Sequence, residues 1–111
     1  MRAYVCLVGA ILTEVVGTTA LKVSNGFEHA AFGAVAIALY VVSFYFVSLA
    51  LVDLPVGLVY ATWSAIGIVG LAAIGVVFFG ERIDAAAVLG FAFVILGVIL
   101  LNVYSSAYSP A

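Results

Sequence analysis

Charged side chains are scarce in this chain of 111 residues: Asp, Glu, Lys and Arg make up 7% of it, against roughly a quarter in an ordinary soluble domain. Only three residues are basic and the net charge is -2, which excludes nucleic acid as a partner because phosphate binding depends on clustered Lys and Arg. A single cysteine, Cys6, excludes an intrachain disulfide. Because 68% of the residues are hydrophobic, the composition predicts a membrane protein.

The hydrophobic residues form four long runs, separated by the few charged and turn-forming residues. Each run is long enough to cross a hydrocarbon core of roughly 30 Å at about 1.5 Å per residue. The runs are continuous rather than alternating, which excludes a β-barrel. The sequence therefore predicts an all-α membrane protein, a single four-helix transmembrane domain over residues 1–111 with short loops and helices at about 4–21, 30–52, 54–79 and 85–104.

The residues between the runs are typical of helix ends. Ser24–Asn25–Gly26 suits a helix C-terminus that requires a left-handed residue. Pro55 suits the first turn of the third helix, and Asp84 suits the N-cap of the fourth.

Basic residues give almost no preference for one orientation in the membrane. With four spans, Arg2 lies on one side, and Lys22 and Arg82 lie on the other. One against two is a weak bias under the positive-inside rule. We therefore expect the chain to insert both ways round.

Glu14 is the one charged residue inside an apolar run. It follows Tyr4 by ten residues, so it lies roughly 15 Å into the core, close to the midplane. An ionised carboxylate at that depth costs on the order of 3 kcal/mol. Glu14 is either a protonated side chain that joins helices by a hydrogen bond or a site for protons or cations, and the large penalty favours the second interpretation.

Small, hydroxyl and aromatic side chains accompany this carboxylate. At spacings of three, four and seven, the face of Glu14 contains Leu7, Ala10, Ile11, Gly17, Thr18 and Leu21. One face of the second run holds Tyr40, Ser43, Phe44 and Val47, and one face of the third holds Tyr60, Trp63, Ser64 and Gly67. Taken alone, each of these rows of side chains on one helix face more often packs in a protein core than forms a binding site. Together with a buried carboxylate, aromatic faces are what an organic cation with diffuse charge requires.

Gly90 and Gly97 lie on one side of the fourth run, one heptad apart. They allow close approach of another helix, either from a second copy of the chain or from the same chain.

If two copies pair in opposite orientations, two Glu14 side chains come near each other and titrate as a coupled pair. A cation that enters would displace protons, and alternating access would let a proton gradient drive export.

The chain resembles the small multidrug resistance transporters over essentially its whole length. The resemblance lies in the run GAILTEVVGTTALK from Gly9 to Lys22, in Gly26–Phe27, Asp53–Gly57, Tyr60–Ser64 and Phe79–Arg82, and in the Gly90/Gly97 pair. It implies a proton-coupled exporter of aromatic and quaternary ammonium cations that acts as an antiparallel, dual-topology homodimer in the plasma membrane. It further implies neither enzymatic activity nor a cofactor or metal, with the proton gradient as the energy source.

The resemblance also assigns residues. It makes Glu14 the shared site for protons and substrate, and gives the lining as Trp63, Tyr60 and Tyr40, supported by Tyr4, Ala10, Ile11, Gly17, Thr18, Ser43 and Phe44. Gly90 and Gly97 would join two copies, and Gly67 would be a hinge, although Ala65 stands where many relatives have glycine. Val15 and Val16 follow the glutamate, as in the multidrug branch, whereas the guanidinium-exporting branch tends to have tryptophan shortly after it.

Three alternatives remain. Instead of a multidrug exporter that acts alone, the chain could be a guanidinium- or polyamine-type exporter of the same family. It could also be a transporter that requires a paralogous partner, or a rotor-ring subunit of a rotary ATPase. Rotor subunits are also small and glycine-rich, but they tend to carry their carboxylate in a later helix.

Overall fold

The computed structural model describes residues 2–108, which form four helices long and apolar enough to cross a membrane. Helix α1 covers Arg2–Val23, α2 covers Ala30–Asp53, α3 covers Val56–Phe79 and α4 covers Ala85–Ile99. A π-helical turn at Leu100–Tyr104 continues α4. The described residues contain no strand. This confirms the predicted all-α architecture with short loops.

The chain divides between Asp53 and Leu54 into two compact units. The N-terminal unit contains α1 and α2, and the C-terminal unit contains α3, α4 and the π-turn. The assignment of the whole chain to one domain stays a prediction.

In the N-terminal unit, glycines allow α1 and α2 to approach closely. A Cβ atom at Gly9 would lie 3.3 Å from the ring of Phe46, and one at Gly17 would lie 3.2 Å from Cβ of Leu39. Such contacts are at the lower limit for carbon atoms, so larger side chains at these two positions would force the helices apart. Without a hydrophobic driving force between helices in lipid, small residues of this kind are the usual basis of close packing.

The turn between α1 and α2 contains three consecutive left-handed residues. Asn25 has a φ of 52°, and Gly26 and Phe27 both have a φ of 68°. Ser24 is buried, and its hydroxyl accepts a hydrogen bond of 3.2 Å from the backbone N–H of Phe27. The predicted left-handed helix end is confirmed, and it extends one residue further than the sequence indicates.

The second turn differs in detail from the expectation. Pro55 precedes α3 as its N-cap, with φ -62° and ψ 146°, instead of lying in the first helical turn. A residue before proline is disfavoured in the α region, so α2 ends before Leu54 and α3 begins only at Val56. The third helix therefore starts two residues later than predicted.

The turn between α3 and α4 has a cap at each end, of which Asp84 was predicted. Gly80 ends α3 in the left-handed conformation, with a φ of 66°. The carboxylate of Asp84 accepts a hydrogen bond of 2.9 Å from the backbone N–H of Ala87 and so caps α4. The predicted N-cap is confirmed.

The end of the fourth span is not a regular α-helix. The N–H of Ser105 bonds to the carbonyl oxygen of Leu100 at 2.9 Å, five residues earlier, which is the π-helical spacing. The sequence predicted one uniform helix to residue 104. A wider turn at its end is a departure that hydropathy does not indicate.

Candidate functional site

Three side chains form a hydrogen-bonded chain: Glu14 and Thr18 on α1, and Tyr40 on α2. Glu14 is half-buried, and its Oε1 accepts a hydrogen bond of 2.8 Å from the hydroxyl of Thr18, one turn along the helix. The same hydroxyl lies 2.6 Å from the hydroxyl of Tyr40 on α2. Threonine has one hydroxyl hydrogen, so when Thr18 donates it to an ionised Glu14, Tyr40 is the donor to Thr18. The carboxylate is thus connected through Thr18 to the neighbouring helix.

A second bond between the helices lies one turn away on the other side of Glu14. The hydroxyl of Ser43 donates to the carbonyl oxygen of Ala10 at 2.7 Å, in a buried position. Ala10 precedes Glu14 by four residues and Thr18 follows it by four, so Glu14 lies between the two cross-helix bonds. The two bonds fix the rotation of α1 against α2, and with it the direction of the Glu14 side chain.

The remaining predicted residues of the N-terminal unit differ in exposure. Ala10 and Ile11 are 0% and 8% exposed, and Gly17 is also buried. In this arrangement these three residues support the packing and do not line an open surface. Tyr4 is half-buried and Phe44 is exposed, so both are accessible.

In the C-terminal unit, Tyr60 and Trp63 form an aromatic pair. Their ring centroids lie 6.0 Å apart with an angle of 73° between the planes, which is an edge-to-face contact. Tyr60 is 65% exposed and Trp63 is half-buried. The pair presents ring faces of the kind that bind organic cations.

The glycines of this unit have different surroundings. Gly67 is buried, and α3 continues through it without interruption, so the hinge at this position stays a prediction. At Gly90 and Gly97, no described atom beyond the neighbouring backbone of α4 itself lies within 4 Å of the position that a Cβ atom would occupy. Gly97 lines an apolar groove of about 730 Å³ between α3 and α4. These two glycines leave space for another helix.

The arrangement offers a single carboxylate rather than a metal-ligand set. Across residues 2–108 there is no group of three or more His, Cys, Asp or Glu side chains that could hold a metal ion. The chemistry available to Glu14 is gain and loss of a proton and electrostatic attraction of a cation.

Asn102 and Thr62 form a polar contact that the sequence did not predict. The amide nitrogen of Asn102 donates to the hydroxyl of Thr62 at 3.0 Å and to the carbonyl oxygen of Val98 at 2.9 Å. The feature of the sequence that could have indicated this contact is the amide side chain of Asn102 inside the fourth apolar run. Thr62 directly precedes Trp63 in the sequence of α3.

Comparison with known proteins supplies the family. The model of the Small Multidrug Resistance protein family matches residues 2–104. The quaternary ammonium compound-resistance protein QacE of Escherichia coli is 43% identical over 107 residues, which cover 96% of this chain and 97% of that protein. The multidrug transporter EmrE of Escherichia coli strain K12 is 39% identical, with 95% and 96% covered. The multidrug resistance protein EbrA of Bacillus atrophaeus is 42% identical, with 89% and 94% covered.

These relatives are named as transporters and resistance proteins, not as enzymes. The family model extends over all four spans, and the three proteins are covered nearly from end to end. The chain therefore belongs to the small multidrug resistance family of multi-pass inner-membrane proteins.

Proposed function

We propose that the chain exports hydrophobic or aromatic cations of the quaternary ammonium type in exchange for protons, and that Glu14 binds each of them in turn. The observation that carries the proposal is the hydrogen-bonded carboxylate within a transmembrane helix, held by Thr18 and Tyr40. The names of QacE and EmrE support the cation class. The cost of about 3 kcal/mol for an ionised carboxylate at this depth favours such a use.

The hydroxyl chain suits a group that changes its protonation state. With Glu14 ionised, Tyr40 donates to Thr18 and Thr18 donates to the carboxylate. Hydroxyl groups both donate and accept, so the direction of donation reverses when Glu14 carries a proton of its own. The side chain then has a hydrogen-bond partner in either state. Proton and cation compete for the same negative charge, and each shifts the protein toward the conformation that it binds better.

The aromatic pair favours cations with diffuse charge. Tyr60 and Trp63 meet edge to face, and Tyr60 is largely exposed. Cation–π attraction is strongest for cations that have lost their water, and hydrophobic cations lose it at little cost. Small guanidinium-type cations gain less cation–π energy from such faces. Export of guanidinium-type cations is therefore the second candidate function. The rotor-ring alternative is dropped, because the chain belongs to a different family.

Two copies in opposite orientations would complete the transporter. The weak bias of basic residues between the two sides permits both orientations. The space beside Gly90 and Gly97 suits packing against a second copy. Two Glu14 side chains at close range would titrate as a coupled pair, and a dimer that swaps the side it faces would supply alternating access.

Transport into vesicles tests the proposal. Wild type, Glu14→Gln and Glu28→Gln are reconstituted, and uptake of tetraphenylphosphonium is measured with an imposed proton gradient. Glu28 is the matched control, because it is exposed in the turn between α1 and α2. We expect wild type and Glu28→Gln to accumulate the cation, and Glu14→Gln to fall to the level of empty vesicles because an amide does not titrate. Gradient-driven uptake by Glu14→Gln would reject the proposal.

A further inference from the structure

The bond between Asn102 and Thr62 joins α3 to the π-turn that ends the fourth span. Thr62 is 6% exposed, and its hydroxyl accepts from the amide nitrogen of Asn102 at 3.0 Å. The second hydrogen of that nitrogen goes to the carbonyl oxygen of Val98 at 2.9 Å. Both hydrogens of the amide group are therefore used, and the Asn102 side chain is held in one orientation.

In lipid such a bond has a stronger orienting role than in water. No hydrophobic driving force acts between helices in lipid, so packing and interhelical hydrogen bonds determine how two helices meet. A directed polar bond exists at only a narrow range of rotations, because its strength falls steeply with distance and angle. The contact between Thr62 and Asn102 thus favours one rotation of α3 about its own axis.

The irregular backbone at Asn102 is a second, independent observation. Asn102 lies in the middle of the π-turn Leu100–Tyr104, and the bond from Ser105 to Leu100 closes that turn. The turn has five residues and places Asn102 four residues after Val98, whose carbonyl oxygen the amide reaches. Here the widened turn carries the side chain that reaches α3.

Thr62 stands between the two members of the aromatic pair in the sequence. Tyr60 precedes it by two residues and Trp63 follows it directly, all within α3. Any rotation of α3 that breaks the Thr62–Asn102 bond also turns both rings. We infer that Thr62 and Asn102 are positioning residues for the Tyr60–Trp63 pair, and that they determine selectivity for aromatic cations by fixing the direction of the rings. The statement about selectivity for aromatic cations rests on the proposed function, whereas the positioning of the rings does not.

The fluorescence of Trp63 tests the inference directly, because it is the one tryptophan of the chain. Emission and acrylamide quenching of the full chain are recorded without a cation for Thr62→Val, Thr62→Ser, Asn102→Leu and Asn102→Gln. Thr62→Ser keeps the hydroxyl and should match wild type. The other three variants remove or displace a partner of the bond and should shift the emission and the quenching.

A matched control separates this bond from the general loss of a hydroxyl. The hydroxyl of Thr19 bonds to the carbonyl oxygen of Val15 in its own helix at 2.8 Å, so Thr19→Val removes a hydroxyl without removing a bond between helices. It should leave Trp63 emission unchanged. The double variant Thr62→Val/Asn102→Leu should shift the emission no further than either single variant, since both remove the same bond.

Binding of tetraphenylphosphonium supplies the selectivity measurement. Interhelical hydrogen bonds in membrane proteins have a modest average energy, so Thr62→Val and Asn102→Leu should each weaken binding about threefold. Binding of methylammonium should change less, because it gains little from the rings.

The outcomes are distinguishable. Wild-type emission in Asn102→Leu and Asn102→Gln, or equal shifts in Thr62→Ser and Thr62→Val, would overturn the inference. If Thr62→Val fails to fold, the comparison of Thr62→Ser with Asn102→Gln still decides it. Emission shifts in a chain that binds no tetraphenylphosphonium would support the positioning of Trp63 and reject the proposed function instead.

Discussion

At the scale of single residues, the central feature is the set of contacts around Glu14. The sequence predicted Glu14 because a charge inside an apolar run is costly, and helical spacing placed Thr18 on the same face. The family resemblance added Tyr40, which lies on the next helix. Neither indicated that Thr18 contacts both other groups, at 2.8 and 2.6 Å. That contact depends on the relative rotation of α1 and α2, which the spacing along one helix does not define.

Replacement of Trp63 tests the proposed role of the aromatic pair. Trp63→Ala removes one ring of the edge-to-face contact and should weaken tetraphenylphosphonium binding by about tenfold, since cation–π interactions contribute about 0.5–2 kcal/mol. Binding of methylammonium should fall far less. Trp63→Phe retains an aromatic face and should give an intermediate affinity. Equal losses for the large and the small cation would contradict a cation–π contribution.

At the scale of helices and turns, the sequence predicted what hydropathy and turn chemistry determine. The four spans follow from the lengths of the apolar runs, and the ends at Asn25 and Asp84 follow from left-handed and capping preferences. The π-turn at the end of α4 was missed, since hydropathy does not distinguish the bond spacing of an α-helix from that of a π-helix.

Contacts between helices were harder to predict for a different reason. Helices that are hydrophobic all round have no single apolar face to indicate which side packs against a neighbour. The bond of Ser43 to Ala10 is an example. Ser43 was predicted to support the site, but its partner is a backbone carbonyl oxygen of α1. Similarly, Asn102 was visible as a polar residue in an apolar run, whereas its partner Thr62 was not.

At the scale of the whole molecule, the distribution of charge bears on assembly. The basic residues are so few that a single added charge changes the balance between the two sides. Orientation in the membrane follows that balance. An antiparallel pair requires that both orientations form in similar amounts, so the scarcity of Lys and Arg is itself part of the proposal.

Added lysines test this assembly. Two lysines inserted in the turn between α1 and α2 should trap one orientation, and two inserted near Pro55 should trap the opposite one. Each variant alone should lose most of its tetraphenylphosphonium uptake, because it lacks oppositely oriented copies. Co-expression of the two variants should restore uptake, as measured in vesicles from the same cells.

The control for this experiment replaces the added lysines with glutamines, which lengthen the same turns without charge and should leave uptake near wild type. Full activity of a variant shown by labelling to have one orientation would contradict the antiparallel arrangement.

The central claim is that the Glu14 side chain exchanges a proton for a cation. Protons released into a weakly buffered solution on addition of tetraphenylphosphonium measure this exchange in the purified chain. Wild type should release protons in proportion to the cation bound, and Glu14→Gln should release none above the level of a protein-free blank. Cation binding by wild type without any release of protons, or equal release by Glu14→Gln, would contradict the account.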